Sequence, residues 1–273
     1  MSISDDLVVA LLYGRDVILE SMIVSNPALV LVHDSSGNYP LHLAQTKKAV
    51  QVILRANKTV TGLRNLSSEL PIHHMARLGS STALRSMLEE MEPNTLSSLV
   101  RSTILDDECH STALDIAVEY NRLECVFILL QYGASVDELD GFPTAPLYMG
   151  YRLTPLALAF NHRHFKAVEL LIQYGASIKK TLDCIDVYYT AFKRSSGNAR
   201  FEMDVQCEKQ KSIILNYLRS IAVKDGARRL CLLLGARGPE SQSPLRLLDQ
   251  NLLKTIMFYA MYAGNTLFQK SLE

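Results

Sequence analysis

Residues Thr112–Ser135 read TALDIAVEYNRLECVFILLQYGAS, and forty-two residues later Thr154–Ser177 read TPLALAFNHRHFKAVELLIQYGAS. The two stretches share one register. Thr154 answers Thr112, Ala159 answers Ala117, Leu170-Leu171 answers Ile128-Leu129, and the closing Gln-Tyr-Gly-Ala-Ser is identical. A pattern that returns in register is an internal repeat, and each copy must stack on a neighbour to bury its apolar face.

Each copy has a local physical logic. Thr154 is a good helix N-cap, and Pro155 sits at the first helical position, where its missing N–H costs nothing. Leu156 and Ala159 share one face of a short helix, and the small Ala159 lets a second helix approach. That second helix carries Phe165, Val168, Leu171 and Ile172 at spacings of three and four, an apolar stripe expected to face the core. Gly175 follows as a C-terminal stop, because glycine adopts the left-handed conformation readily.

The unit resembles the ankyrin repeat, whose signature is Thr-Pro-Leu-His-x-Ala, a helix–turn–helix and a closing Gly-Ala. Relaxed copies appear at Asp34–Ala44 (DSSGNYPLHLA) and at Leu70–Met75 (LPIHHM), the latter with Gly79 and Met87-Leu88 following. Asp5–Ile23 keeps Ala10, Gly14 and Met22-Ile23 at matching offsets and reads as an N-terminal capping unit. Starts at 5, 39, 70, 112 and 154 give spacings of 34, 31, 42 and 42 against a usual period of about 33. The last two intervals therefore carry inserts of about nine residues, while the second unit loses about a turn around Gln45–Lys48. The resemblance implies an all-α ankyrin-repeat solenoid over residues 1–178, with a helical region after it.

In the first insert, Pro93-Asn94 is expected to break the preceding helix, with a short extra helix capped by Thr95 and an acidic turn at Asp106-Asp107-Glu108. The second insert, Asp137–Arg152, is punctuated by Gly141, Pro143, Pro146 and Gly150 and crowds Phe142, Tyr148 and Tyr151 into a loop. Beyond Ile178 the signature fades. Residues 179–238 read as a helical cap or a degenerate repeat, with Ala222, Gly226 and Leu233-Leu234 at the repeat's offsets. Residues 239–273 form a tail after a short linker. Its Leu248, Leu252, Leu253 and Ile256 fall in the apolar slots of an F-box opening, which the tail faintly resembles. Asp249 and Asn251 depart from that pattern, and an amphipathic helix docked on the last repeat fits the same residues.

Lys plus Arg equals Asp plus Glu at 28 each, so net charge points to no class of partner. Its distribution is uneven: residues 1–178 hold 13 basic and 19 acidic side chains, and residues 179–237 hold 12 and 6. The five cysteines show no CxxC spacing, and Cys125 lies on the second-helix face as a small core residue. No secretory signal and no membrane-spanning run is apparent, so a cytoplasmic protein is expected, or a bacterial effector in host cytoplasm.

Chemistry is sparse. His42 and His73 occupy the ankyrin histidine slot, where the resemblance implies bonds to neighbouring turns; His164 opens the second helix. His162, His164 and Cys184 lack metal-site spacing. Cys109-His110 beside Asp106 and Asp107 imitates a nucleophile and base, but side chains adjacent in one turn rarely converge. No phosphate loop or hydrolase motif is present. No enzyme activity, cofactor or metal is expected, and nucleic acid is not the expected partner.

The function expected from the resemblance is protein recognition through turn tips, inserts and the first-helix face. The candidate residues are Asp107, Glu108 and His110 on the first insert, and Asp140, Phe142, Tyr148, Tyr151 and Arg152 on the second. Glu119, Tyr120, Asn161 and His162 join them on the helix face. Three readings stay open: a scaffold or effector, a ubiquitin-ligase substrate adaptor whose tail engages the ligase core, and an enzyme using Cys109 and His110.

Overall fold

The computed structural model describes residues 4–104, 110–137 and 153–178, together with Lys180, Thr181, Cys184, Lys209, Ser212–Ile214, Asn216 and Tyr217. The chain divides into two compact units, Met1–Ser135 and Val136–Glu273.

The first unit is a stack of helix pairs: α1 (Asp5–Leu12) with α2 (Asp16–Ser25), α3 (Pro40–Leu43) with α4 (Lys47–Ala56), and α5 (Pro71–Leu78) with α6 (Ser81–Glu89). A single helix, α7 (Pro93–Val100), precedes the fourth pair, α8 (Ala113–Glu119) with α9 (Leu123–Gln131). Second helices pack on second helices along the stack, α2 on α4, α4 on α6 and α6 on α9. The described residues are all-α; they contain no strand, and one isolated bridge joins Thr103 to Thr112.

Sequence explains where these helices start. Pro40, Pro71 and Pro155 occupy first helical positions, and the Thr112 hydroxyl accepts from the Asp115 N–H at 3.3 Å. α3 is one turn long, in keeping with the residues missing around Gln45–Lys48, and Thr46 then caps α4. Between paired helices the chain turns through a left-handed residue: Gly14, Gly79 and Asn121 have φ of 63°, 80° and 54°. Leu19, Val50, Leu84 and Val126 repeat one position of the second helix, and each is fully buried. Each such side chain contributes about 1.5–3 kcal/mol of burial.

The first insert differs from expectation at its start. Pro93 does not break a helix ahead of Thr95; it is the first residue of α7, after Glu92. Its fixed φ and missing N–H suit that position. Shorter relatives of α7 close the first two pairs as 3-10 turns at Pro27–Leu31 and Lys58–Gly62, each capped by an asparagine, Asn26 or Asn57.

In the second unit, α10 (Pro155–Asn161) pairs with α11 (Phe165–Gln173). Thr154 caps α10, accepting from the Ala157 N–H at 3.1 Å. Val168, Leu171 and Ile172 are buried as expected, but Phe165 is partly exposed. Its ring stacks on Tyr217 at 5.1 Å, and Phe160 meets the same tyrosine edge-on at 5.7 Å. Leu123, at the same place in α9, is also only half-buried, so this position lies at the edge of the stripe. The helical cap or degenerate repeat expected over 179–238 falls almost wholly, and the tail over 239–273 wholly, outside the described residues.

Candidate partner-binding surface

The tips of the stack are built by one turn used twice. Asp34 Oδ1 accepts from the N–H groups of Ser36 and Asn38 at 2.9 and 2.8 Å; Asn65 Oδ1 accepts from Ser67 and Glu69 at 3.0 and 2.9 Å. The two turns are joined by Asn65 Nδ2 donating to Asn38 Oδ1 at 2.9 Å and by the Leu66 N–H donating to the Ser36 carbonyl at 3.1 Å. The left-handed place in each turn, two residues before the helix cap, is filled by Gly37 (φ 75°), Ser68 (φ 55°) and, in the fourth repeat, His110 (φ 48°). His110 therefore takes the left-handed place of this turn. Ahead of α3 and α5 the chain closes by backbone pairs Asp34–Asn38 and Asn65–Glu69, and ahead of α8 the Ile104 N–H donates to the Ser111 carbonyl at 3.1 Å.

Two buried histidines tie helices to the turns ahead. His42 Nδ1 accepts from the Tyr39 N–H at 3.2 Å, which places the ring proton on Nε2, 3.0 Å from the Glu69 carbonyl. His73 repeats this with Leu70 and the Ser102 carbonyl, at 3.1 and 2.9 Å. Burial pulls both imidazoles down to about 4, only partly offset by the bonds to those carbonyls. Neutral rings suit this job. In the next repeat the slot holds Asp115, whose carboxylate accepts from the Thr112 N–H at 2.8 Å.

The first-helix face carries a polar network around Glu69, which is 3 % exposed. Arg77 Nε donates to Glu69 Oε1 at 2.8 Å, a second Arg77 nitrogen joins the same oxygen, and His74 Nδ1 lies 3.1 Å from Oε2. Burial raises the Glu69 carboxyl, but hydrogen bonds from His74 and Arg77 outweigh it and bring it down to about 2. Arg77 then reaches outward. Its Nη1 donates to the Tyr120 hydroxyl at 2.6 Å, with the guanidinium carbon 5.0 Å from that ring's centroid. Tyr120 is 42 % exposed, so an aromatic ring is presented on a guanidinium that is itself anchored in the core.

Of the expected contact residues, Glu119 and Tyr120 lie together where α8 ends, while Asn161 and His162 lie where α10 ends. All four are exposed, near the turns between paired helices. Asp107, Glu108, Asp140, Phe142, Tyr148, Tyr151 and Arg152 lie outside the described residues, as do Cys109 and the tail residues Leu248, Leu252, Leu253 and Ile256. Sequence reasoning missed Leu66, 75 % exposed on a tip, and the anchoring pair Glu69 and Arg77. Glu69 stands one residue before the helix cap, where the preceding turn has Asn38; that offset was the available signal.

On the second-helix side, a groove of about 550 Å³ runs between α4, α6 and α9, floored by Leu123, Phe127 and Ile128. Its polar groups serve one another: Lys47 pairs with Glu89 at 3.3 Å, and the Ser81 hydroxyl donates to Glu124 at 2.6 Å. His162 and His164 stack at 5.6 Å, yet no group of three metal-ligating side chains gathers among the described residues. The Cys125 thiol is buried, and burial pushes it up to about 11. Among the described residues no helix is long and apolar enough to cross a membrane.

Residues 41–140 match a family model described as Ankyrin repeats (3 copies). No curated protein matches the chain.

Proposed function

We propose that this ankyrin-repeat protein is a non-catalytic recognition module that holds a protein partner along its turn tips and first-helix face. Ankyrin repeats generally mediate protein–protein interaction, and their domains are typically non-catalytic. The observation that carries the proposal is the line from buried Glu69 through Arg77 to exposed Tyr120. Holding a ring in place before binding lowers the entropy cost of ordering it in a complex. Tyrosine and arginine are also residues on which binding energy concentrates.

Leu66 extends the surface to the tips, and the acidic inserts at Asp107, Glu108 and Asp140 would steer a partner toward it. The test is affinity purification from lysate with Tyr120→Ala, Leu66→Asp and Phe127→Ala variants. Loss of a recovered protein with the first two, and retention with the third, supports the surface. Loss only with Phe127→Ala moves the site to the second-helix groove and overturns the proposal.

A further inference from the structure

His42 and His73 use both ring nitrogens inside the fold: Nδ1 accepts from a backbone N–H, and Nε2 donates to a carbonyl of the chain ahead. His74, beside His73 in α5, is set the other way. Its Nδ1 lies 3.1 Å from Glu69 Oε2. Glu69 is ionised, its carboxyl held down to about 2, and a carboxylate only accepts, so the proton between them belongs to Nδ1. In the neutral ring Nε2 is then the bare lone pair. The His42 ring meets that of His74 edge-on at 5.9 Å and fixes its plane from the preceding repeat. His74 Nε2 has no partner among the described residues, and with the side chain 16 % exposed it is open to water.

The other end of the network fixes a donor by the same logic. Arg77 Nη1 donates to the Tyr120 hydroxyl at 2.6 Å. A guanidinium accepts nothing, so the phenolic proton has to point elsewhere. No group among the described residues takes it, and the residue is 42 % exposed. The surface therefore offers an acceptor at His74 and a donor at Tyr120, joined through Glu69 and Arg77. The centre carries no net charge. Glu69 and Arg77 cancel, and Glu119 and Arg122 flank Tyr120 with opposite signs.

We propose, building on the recognition surface described above, that this polarity selects an uncharged, extended peptide segment of the partner. It donates to His74 Nε2 and accepts from the Tyr120 hydroxyl. Main-chain and carboxamide groups carry both the N–H and the C=O that such a pair requires. A carboxylate offers His74 no proton, and a cation offers Tyr120 no acceptor. A segment that displaces water here has to replace both hydrogen bonds, and one that fails leaves a group unpaired. Glu69 touches neither contact directly. It is a positioning residue, setting the His74 tautomer through one oxygen and Arg77 through the other.

Two measurements on the full chain test this, both at about pH 8, where an imidazole is neutral. Long-range proton–nitrogen NMR spectra read the tautomers. His74 is expected to carry its proton on Nδ1, and His42 and His73 theirs on Nε2. In Glu69→Gln one amide oxygen replaces two carboxylate oxygens and Arg77 holds it, so His74 is expected to lose its fixed tautomer while the other two keep theirs. A His74 proton on Nε2 in the unaltered chain overturns the proposal. The second measurement selects phage-displayed random dodecapeptides on the chain and titrates them by fluorescence anisotropy. Binding is expected to weaken about tenfold with Tyr120→Phe and with His74→Phe. His74→Gln, whose side-chain oxygen reaches the place of Nε2, is expected to recover part of the loss. Peptides lost with Tyr120→Ala but indifferent to either Tyr120→Phe or His74→Phe overturn the assignment and leave the recognition surface standing. If Tyr120→Ala weakens no selected peptide, the surface itself falls, and the assignment with it.

Discussion

His42 donates from Nε2 to the backbone carbonyl of Glu69 at 3.0 Å, and the side chain of that same Glu69 holds Arg77. One residue thus joins the internal ladder of the repeats to the surface that presents Tyr120. Its backbone accepts from the repeat before, and its carboxylate anchors the face of its own helix. Structural and recognition roles are coupled there through a single turn.

That coupling has a pH signature. His42 and His73 titrate near 4 in the fold against 6.5 in the unfolded chain. The unfolded chain therefore binds more protons between those values, and their stabilising contribution is complete above 6.5 and lost as pH falls from 6.5 through 4. Glu69, depressed from 4.5 to about 2, loses its own contribution as pH falls from 4.5 through 2. Unfolding free energies from urea titrations at about pH 7.5 and about pH 4.5 should differ by about 2–3 kcal/mol per histidine. His42→Gln and His73→Gln should each flatten the slope by one proton.

Removing the anchor should cost both stability and presentation. Glu69→Gln keeps the shape but leaves Arg77 and His74 with a weaker acceptor. The expected loss is about 2 kcal/mol, below the range for fully buried pairs because Arg77 is a third exposed. A double-mutant cycle with Arg77→Met, followed by urea unfolding, should return a coupling of about 1 kcal/mol or more.

Opposite effects are expected at equivalent turn positions. Gly37→Ala must hold φ at 75° and would bring its Cβ within 2.7 Å of the Leu66 backbone nitrogen. A loss of about 2 kcal/mol is expected. Ser68 already carries the left-handed strain at φ 55°, so Ser68→Gly should be neutral or stabilising by up to about 1 kcal/mol. Thermal melts of the two variants should move in opposite directions or, at the least, differ clearly.

The ligase-adaptor reading of the tail makes a separate prediction. If residues 243–260 engage a ligase core, Leu252→Asp with Leu253→Asp should abolish co-purification of ligase subunits while the helical signal of the repeats persists. Residues 1–238 alone should then recover only partners of the repeats. Recovery of the same non-ligase partner by both lengths assigns recognition to the repeats.

The repeat is legible in sequence because its determinants are local. Thr112 and Thr154 cap helices, Pro155 starts one, and Gly133 and Gly175 stop others through backbone preferences that belong to single residues or to neighbours in the chain. The missing turn before α4 is legible for the same reason. Pro93 is harder to place, because proline both ends and begins helices, and only the packing of the residues after it decides between the two.

Sequence alone determined the all-α class, the register of the repeats and the histidine slots, since these depend on spacing along one segment. The partners of those slots, the anchoring of Tyr120 on Arg77, the stacking of Phe165 on Tyr217 and the exposure of Leu66 on a tip were decided only by tertiary structure. Each joins or exposes residues through packing between elements, where burial and hydrogen-bond geometry depend on which neighbour is present and which is not.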